Sequence, residues 1–167
     1  MAGFGGAARK VGSSRDTRAG PGRVVAHTGQ WEACVEVERL ADLETRLGAR
    51  AYAALDVIGI DEAQFMPDLL DFCLRAADRD GKRVVVAGLD GDFLRQPFGQ
   101  ITELLPIADS VDKILAQCDY CGAPAPFTSR TVESKETYLV GGSESYRPVC
   151  RFHYLEGLKA RDNTGKD

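Results

Sequence analysis

Val57 to Phe65 reads V-I-G-I-D-E-A-Q-F, and no other stretch restricts the fold as much. Four mostly apolar residues, Val57, Ile58, Gly59 and Ile60, suit a buried strand of a parallel sheet. Two adjacent carboxylates, Asp61 and Glu62, fall where that strand would end. In open α/β sheets, ligands bind beyond the carboxyl ends of strands. An acid at that place commonly holds Mg²⁺ in nucleotide-binding folds. A second acid beside it can act as a base toward a substrate hydroxyl. The simpler reading of the same residues is a charged helix N-terminus, favoured by the helix dipole. These residues alone leave both readings open.

The flanking pattern extends the strand into an α/β unit. Pro67 suits the first turn of a helix that runs to about Asp80 and buries Leu70, Phe72, Cys73, Leu74 and Ala77, with Gly81 ending it. Val84 to Leu89 reads as a second buried strand, ending at Asp90. Strand, helix, strand in this order predicts a parallel crossover. Upstream, Asp42 to Leu55 reads as a helix with Leu43, Leu47 and Leu55 near one face and Asp42 as its cap. Val24 to Ala26 suggests a short strand, whereas Trp31 to Leu40 has mixed periodicity. Downstream, Ile101 to Ile107 is a short amphipathic segment and Ser110 to Ala116 a further expected strand. Residues 1–23 are rich in Gly, Ala, Ser and Arg and are expected to be poorly ordered.

The length of 167 residues allows one core, or one core with a small appendage. A net charge of −4 gives no electrostatic case for nucleic acid as a partner. No apolar run approaches the length that crosses a bilayer, so no membrane partner is expected. The first thirty residues set Arg9, Lys10, Arg15, Arg18 and Arg23 against the single acid Asp16. That bias faintly resembles an organelle transit segment, but Asp16 interrupts it and no secretory apolar region follows. Five cysteines is an odd number, and the close pairing near the C-terminus favours metal over disulfides and hence a reducing, cytoplasmic location.

Cys118-Asp119-Tyr120-Cys121 and Cys150-Arg151-Phe152-His153 form a CxxC and a CxxH pair. Three thiolates and one imidazole fill a tetrahedral Zn²⁺ site and leave no position for water, so such a metal is structural. The alternative is a redox dithiol at Cys118 and Cys121. Cys73 lies on an apolar helix face and reads as inert core. Residues 122–149, between the pairs, form a long loop closed at its base by the metal. Thr137 to Val140 is β-prone, Gly141-Gly142 breaks it, and Tyr146 can stack on a flat ring. A zinc-ribbon hairpin with a plain surface turn is the competing reading.

Taken together, D-E-A-Q-F, L-D-G-D-F-L-R-Q-P-F (Leu89 to Phe98), CxxC, G-G-S-E-S-Y and V-C-R-F-H-Y strongly resemble the thymidine kinase family that carries a zinc-bound lasso. Asp16-Thr17-Arg18 and Ala26-His27-Thr28-Gly29 look like that family's D-T-R and S/T-H-D-G segments, with Thr28 in place of the acid. The resemblance covers roughly residues 14–156. It implies transfer of the γ-phosphate of ATP, with Mg²⁺, to the 5′-hydroxyl of thymidine. It implies Glu62 as the proton acceptor and Asp61 in the Mg²⁺-holding position. Gln64 and Phe65 would line the nucleoside pocket and Phe93 would pack against the base. Backbone groups of Thr137, Tyr138, Leu139, Val140 and Gly141 would read the thymine edge, and Tyr146 would close the sugar side. Asp16, Thr17 and Arg18 would serve the ATP side, and Arg18 and Arg95 could face phosphates. Cys118, Cys121, Cys150 and His153 match the zinc positions, and the family suggests a homo-tetramer.

The family also begins with a strand and a G-x-x-x-x-G-K-[ST] loop that cradles phosphates. Gly3 to Lys10 has glycines but neither that spacing nor the following Ser or Thr. The expectation is therefore a P-loop-NTPase-like parallel sheet lacking its first βαβ unit, joined to a small zinc-ribbon or lasso domain, with little or no turnover and poor ATP binding. The expected division is a disordered head over 1–15, an α/β nucleotide-binding domain over 16–116, a lasso domain over 117–156 and a polar tail over 157–167. A second functional class stays open, a non-catalytic nucleoside-binding or zinc-ribbon interaction protein derived from the family.

Overall fold

The structure is a computed structural model that describes residues 7–13, 22–25, 30–131 and 145–164. It divides into two units. One comprises Met1–Asp90 and Pro97–Asp109, the other Gly91–Gln96 and Ser110–Asp167. The segment 91–96, placed by sequence in the α/β part, thus belongs with the second unit, and the division at 116/117 moves to 109/110.

The first unit is built on a four-stranded parallel sheet. Its strands are β1 (Ala7–Ser13), β4 (Val35–Val37), β5 (Leu55–Ile60) and β6 (Arg83–Val86), in the order β4-β1-β5-β6. β2 (Arg23–Val25) and β3 (Trp31–Ala33) form a separate antiparallel pair. β1 corrects the expectation of a disordered head. Val11 pairs with Val35 on one side and Ile60 on the other and is fully buried. Charged and small neighbours around Val11 hide the strand in the sequence, but two flanking strands satisfy the backbone and decide the local structure.

The expected helix over 42–55 is two short ones, α1 (Leu43–Leu47) and α2 (Ala49–Ala53), and Leu55 opens β5 instead. Gly48 at the junction has φ +83°, a left-handed value that interrupts the helical ladder. Asp42 makes no capping hydrogen bond, because a 3₁₀ turn over Leu40–Asp42 already precedes it. The amides that the turn itself leaves without a partner go to a distant carboxylate. Leu40 N–H and Ala41 N–H donate to Asp68 Oδ1 and Oδ2 at 3.0 and 2.9 Å. Buried Asp68 therefore fastens this turn to the segment before α3 (Leu69–Leu74). α3 continues as a π turn over Arg75–Arg79 and stops at Gly81, φ +64°, as the sequence implies. Val11, Leu40, Leu43, Ile58, Ile60, Met66 and Leu69 are the largest fully buried apolar side chains among the described residues of this unit.

The second unit holds two small antiparallel pairs and a helix. β7 (Ala116–Gln117) pairs with β8 (Pro124–Ala125), and β9 (Phe127–Arg130) with β10 (Tyr146–Val149). α4 spans Arg151–Thr164, so part of the expected polar tail is helical. The strand expected over Ser110 to Ala116 does not form. Residues 110–115 are irregular and only Ala116–Gln117 pairs. Among the described residues no helix is long and apolar enough to cross a membrane.

Candidate functional site

In the first unit the site residues cluster where β5 ends. Asp61 N–H donates to Val11 O at 3.0 Å, which seats the first carboxylate beyond the strand end. Glu62 follows with φ 50° and ψ 40°, a left-handed conformation. For a residue with a Cβ this costs on the order of 1–3 kcal/mol and persists only where neighbours enforce it. Several do. Glu62 N–H donates to Asp61 Oδ1 at 3.0 Å, and Ala63 N–H donates to Ala87 O beyond β6 at 3.0 Å.

Gln64 contributes most. It is 5% exposed. Its Nε2 donates to Glu62 Oε2 at 2.6 Å, and its Oε1 accepts Leu89 N–H at 3.1 Å. The resemblance places Gln64 along a nucleoside pocket; the structure gives its amide the task of orienting Glu62. Two glycines make room for it. A Cβ on Gly88 would lie 2.7 Å from Gln64 Oε1 and 2.8 Å from Ile101 Cδ1. A Cβ on Gly99, at φ +56°, would collide with the Gln64 carbonyl. Half-buried Phe65 meets Phe98 edge to face at 5.5 Å between ring centroids. Phe98 was missed as a separate site residue, although it ends the L-D-G-D-F-L-R-Q-P-F run.

The second unit contains the metal cluster and two aromatic candidates. The ligand atoms of Cys118, Cys121, Cys150 and His153 lie within 4.8 Å of one another. His153 Nδ1 is 3.5 Å from Cys118 Sγ and 3.3 Å from Cys150 Sγ, and Cys121 Sγ is 3.9 Å from Cys150 Sγ. A tetrahedral Zn²⁺ with bonds of 2.0–2.3 Å has edges of about 3.5–3.8 Å, so these four donors fit a metal ion. Local folding produces the cluster. Gly122, φ +71°, turns the first knuckle, with Cys118 N–H donating to Ala123 O and Gly122 N–H to Cys118 O, both at 2.8 Å. The first turn of α4 brings His153 back beside Cys150. Burial pushes the Cys118 thiol up, but backbone N–H groups of Cys150, Tyr120 and Cys121 outweigh it and hold the thiol at about 6. Cys150 is also lowered, chiefly by the backbone N–H of His153. Both shifts favour the thiolate that a metal requires.

Phe93 and Tyr146 lie in this unit, with ring centroids 6.5 Å apart. Arg95, which could face phosphates on the sequence reading, places its guanidinium over the Tyr154 ring at 4.7 Å. Asp16, Thr17, Arg18 and the run Thr137, Tyr138, Leu139, Val140 and Gly141 lie outside the described residues. The structure thus gathers Asp61, Glu62, Gln64 and Phe65 in one unit, and Phe93, Tyr146 and the metal donors in the other.

A family model described as thymidine kinase matches residues 8–154. The chain is 51% identical over 147 residues to the thymidine kinase of Oryza sativa subsp. japonica, covering 88% of this chain and 54% of the rice protein. It is 50% identical over 143 residues to thymidine kinase a of Arabidopsis thaliana, covering 86% of this chain and 60% of that protein. It is 40% identical over 143 residues to the thymidine kinase of Monkeypox virus, covering 86% of this chain and 77% of the viral one. The chain therefore spans little more than half the length of the two plant relatives.

Proposed function

The chain belongs to the thymidine kinase family, and we propose that it serves phosphoryl transfer from ATP to the 5′-hydroxyl of thymidine, a step of DNA-precursor salvage. The observation that carries this reading is the enforced left-handed Glu62 beside Asp61, its carboxylate held by Gln64. Glu62 accepts the proton of the 5′-hydroxyl. The freed oxygen forms a bond to the γ-phosphorus, the bond from that phosphorus to the β,γ-bridging oxygen breaks, and ADP leaves. Asp61 would hold the Mg²⁺ that accompanies ATP, which would neutralise charge on the phosphates.

By the family resemblance, Phe65, Phe93 and Tyr146 would each offer an aromatic face to the nucleoside. Thr137 to Gly141 would add backbone hydrogen bonds to the thymine edge, and Asp16, Thr17 and Arg18 would serve the ATP side. Cys118, Cys121, Cys150 and His153 hold a structural Zn²⁺. The family resemblance supports a homo-tetramer, and the cysteine usage supports a cytoplasmic location.

Calorimetry with thymidine tests the reading. Saturable one-to-one binding of thymidine, with much weaker binding of deoxyguanosine, is expected. No thymidine binding, or equal binding of both nucleosides, would overturn it and favour a zinc-ribbon interaction protein.

A further inference from the structure

Arg130 is a buried arginine that the sequence did not single out, and it joins the two aromatic candidates of the second unit. It sits at the end of β9, 4% exposed, directly across the ladder from Tyr146 on β10. Its Nη2 donates to Tyr146 Oη at 2.9 Å. Its guanidinium carbon lies 4.0 Å from the Phe93 ring centroid and 5.4 Å from that of Tyr146. The backbone of Phe93 is fixed separately, because Tyr154 Oη donates to Phe93 O at 2.8 Å.

A buried guanidinium is costly unless its charge is engaged. Here one planar cation faces one ring and hydrogen-bonds the rim of the other. Only arginine can do both together, since an ammonium is a compact point charge without a planar fork. Tyr154 belongs to the first turn of α4, next to the ligand His153, and Tyr146 opens the strand that leads to the ligand Cys150. The metal end of the unit thereby anchors the backbone of the pair, and Arg130 anchors its rings.

We propose that Arg130 is the positioning residue of the nucleoside wall, locking Phe93 and Tyr146 into one preformed aromatic surface for the base and sugar. This rests on the reading above that both rings meet thymidine. A merely structural arginine would support the hairpin without setting nucleoside affinity.

The test uses the full chain with zinc content measured for every variant, and compares Arg130→Lys, Arg130→Met, Phe93→Leu, Tyr146→Phe and the Arg130→Met/Tyr146→Phe double variant. Arg130→Lys should keep its zinc and weaken thymidine binding by about tenfold. The double variant should lose far less than the product of the two single losses, because the two side chains act as a unit. Without ligand, the aromatic carbon–proton resonances of Phe93 and Tyr146 should shift in Arg130→Lys. If Phe93→Leu weakens thymidine but neither Arg130 variant does, or if the losses simply multiply, the inference is overturned. If Phe93→Leu leaves thymidine binding unchanged, the nucleoside reading fails instead. The ring resonances then decide for Arg130, and unchanged resonances overturn the positioning role as well. Should Arg130→Met lose its metal, Arg130→Lys carries the comparison.

Discussion

Glu62 adopts a backbone conformation that residues with a Cβ rarely visit, and the glycines around Gln64 help to make it tenable. Gly99 combines positive φ with a direct clash against the Gln64 carbonyl, whereas Gly48 has positive φ and open space around it. Gly99→Ala should therefore destabilise by about 2 kcal/mol or more, and Gly48→Ala by about 1 kcal/mol. Urea denaturation would order the two, and equal midpoints would show that crowding at Gln64 has no part in stability. Adjacent acids behind an apolar run made Asp61 and Glu62 legible in the sequence. Gln64 was legible as a position but not as a clamp, because its partners Leu89, Gly88 and Gly99 are distant in the chain. Asp68 and Arg130 were illegible for the same reason. A buried carboxylate or guanidinium is explained only by the groups that folding brings to it.

At the scale of elements, period and punctuation located β5, α3, β6 and the metal knuckles. They failed where tertiary pairing outweighs composition. β1 has a basic, glycine-containing sequence and is a strand because β4 and β5 take its backbone groups. The helix expected over 42–55 breaks in two because Gly48 takes a left-handed φ, and it ends early because Leu55 joins the sheet. Paired ligand spacing, by contrast, was sufficient to predict the four-donor cluster. Metal analysis should find one zinc per chain. Cys150→Ala should lose it and raise hydrogen exchange in β9 and β10, since Cys150 joins β10 to α4. Full zinc retention in that variant would remove Cys150 from the ligand set.

For the molecule as a whole, pH reports on the core of the first unit. Burial, and then the hydrogen bond that Tyr52 Oη donates to Asp80 at 2.9 Å, raise the Tyr52 phenol from 10.0 to about 12. Unfolded tyrosine titrates near 10, so the stabilisation is complete below about pH 10 and disappears as pH rises through about 12. The loss amounts to at most about 2–3 kcal/mol. Tyr52→Phe should flatten that part of the stability curve, and an unchanged alkaline slope would assign it to other groups. The α/β class and the separate metal unit were legible at this scale. The joining of Gly91–Gln96 to the metal unit was not, because nothing in its composition marks where it folds.

The proposed chemistry makes the most exposed claim about the whole chain, and one comparison addresses it directly. Transfer of label from γ-labelled Mg-ATP to thymidine is followed for a parent that carries a P-loop segment by fusion and for Glu62→Gln in the same fusion, with zinc content matched. The account predicts labelled thymidine 5′-phosphate from the parent and about 10² to 10⁴ less from Glu62→Gln, with thymidine affinity retained. Equal transfer by the two proteins, or no transfer by the parent despite bound thymidine and Mg-ATP, would contradict it.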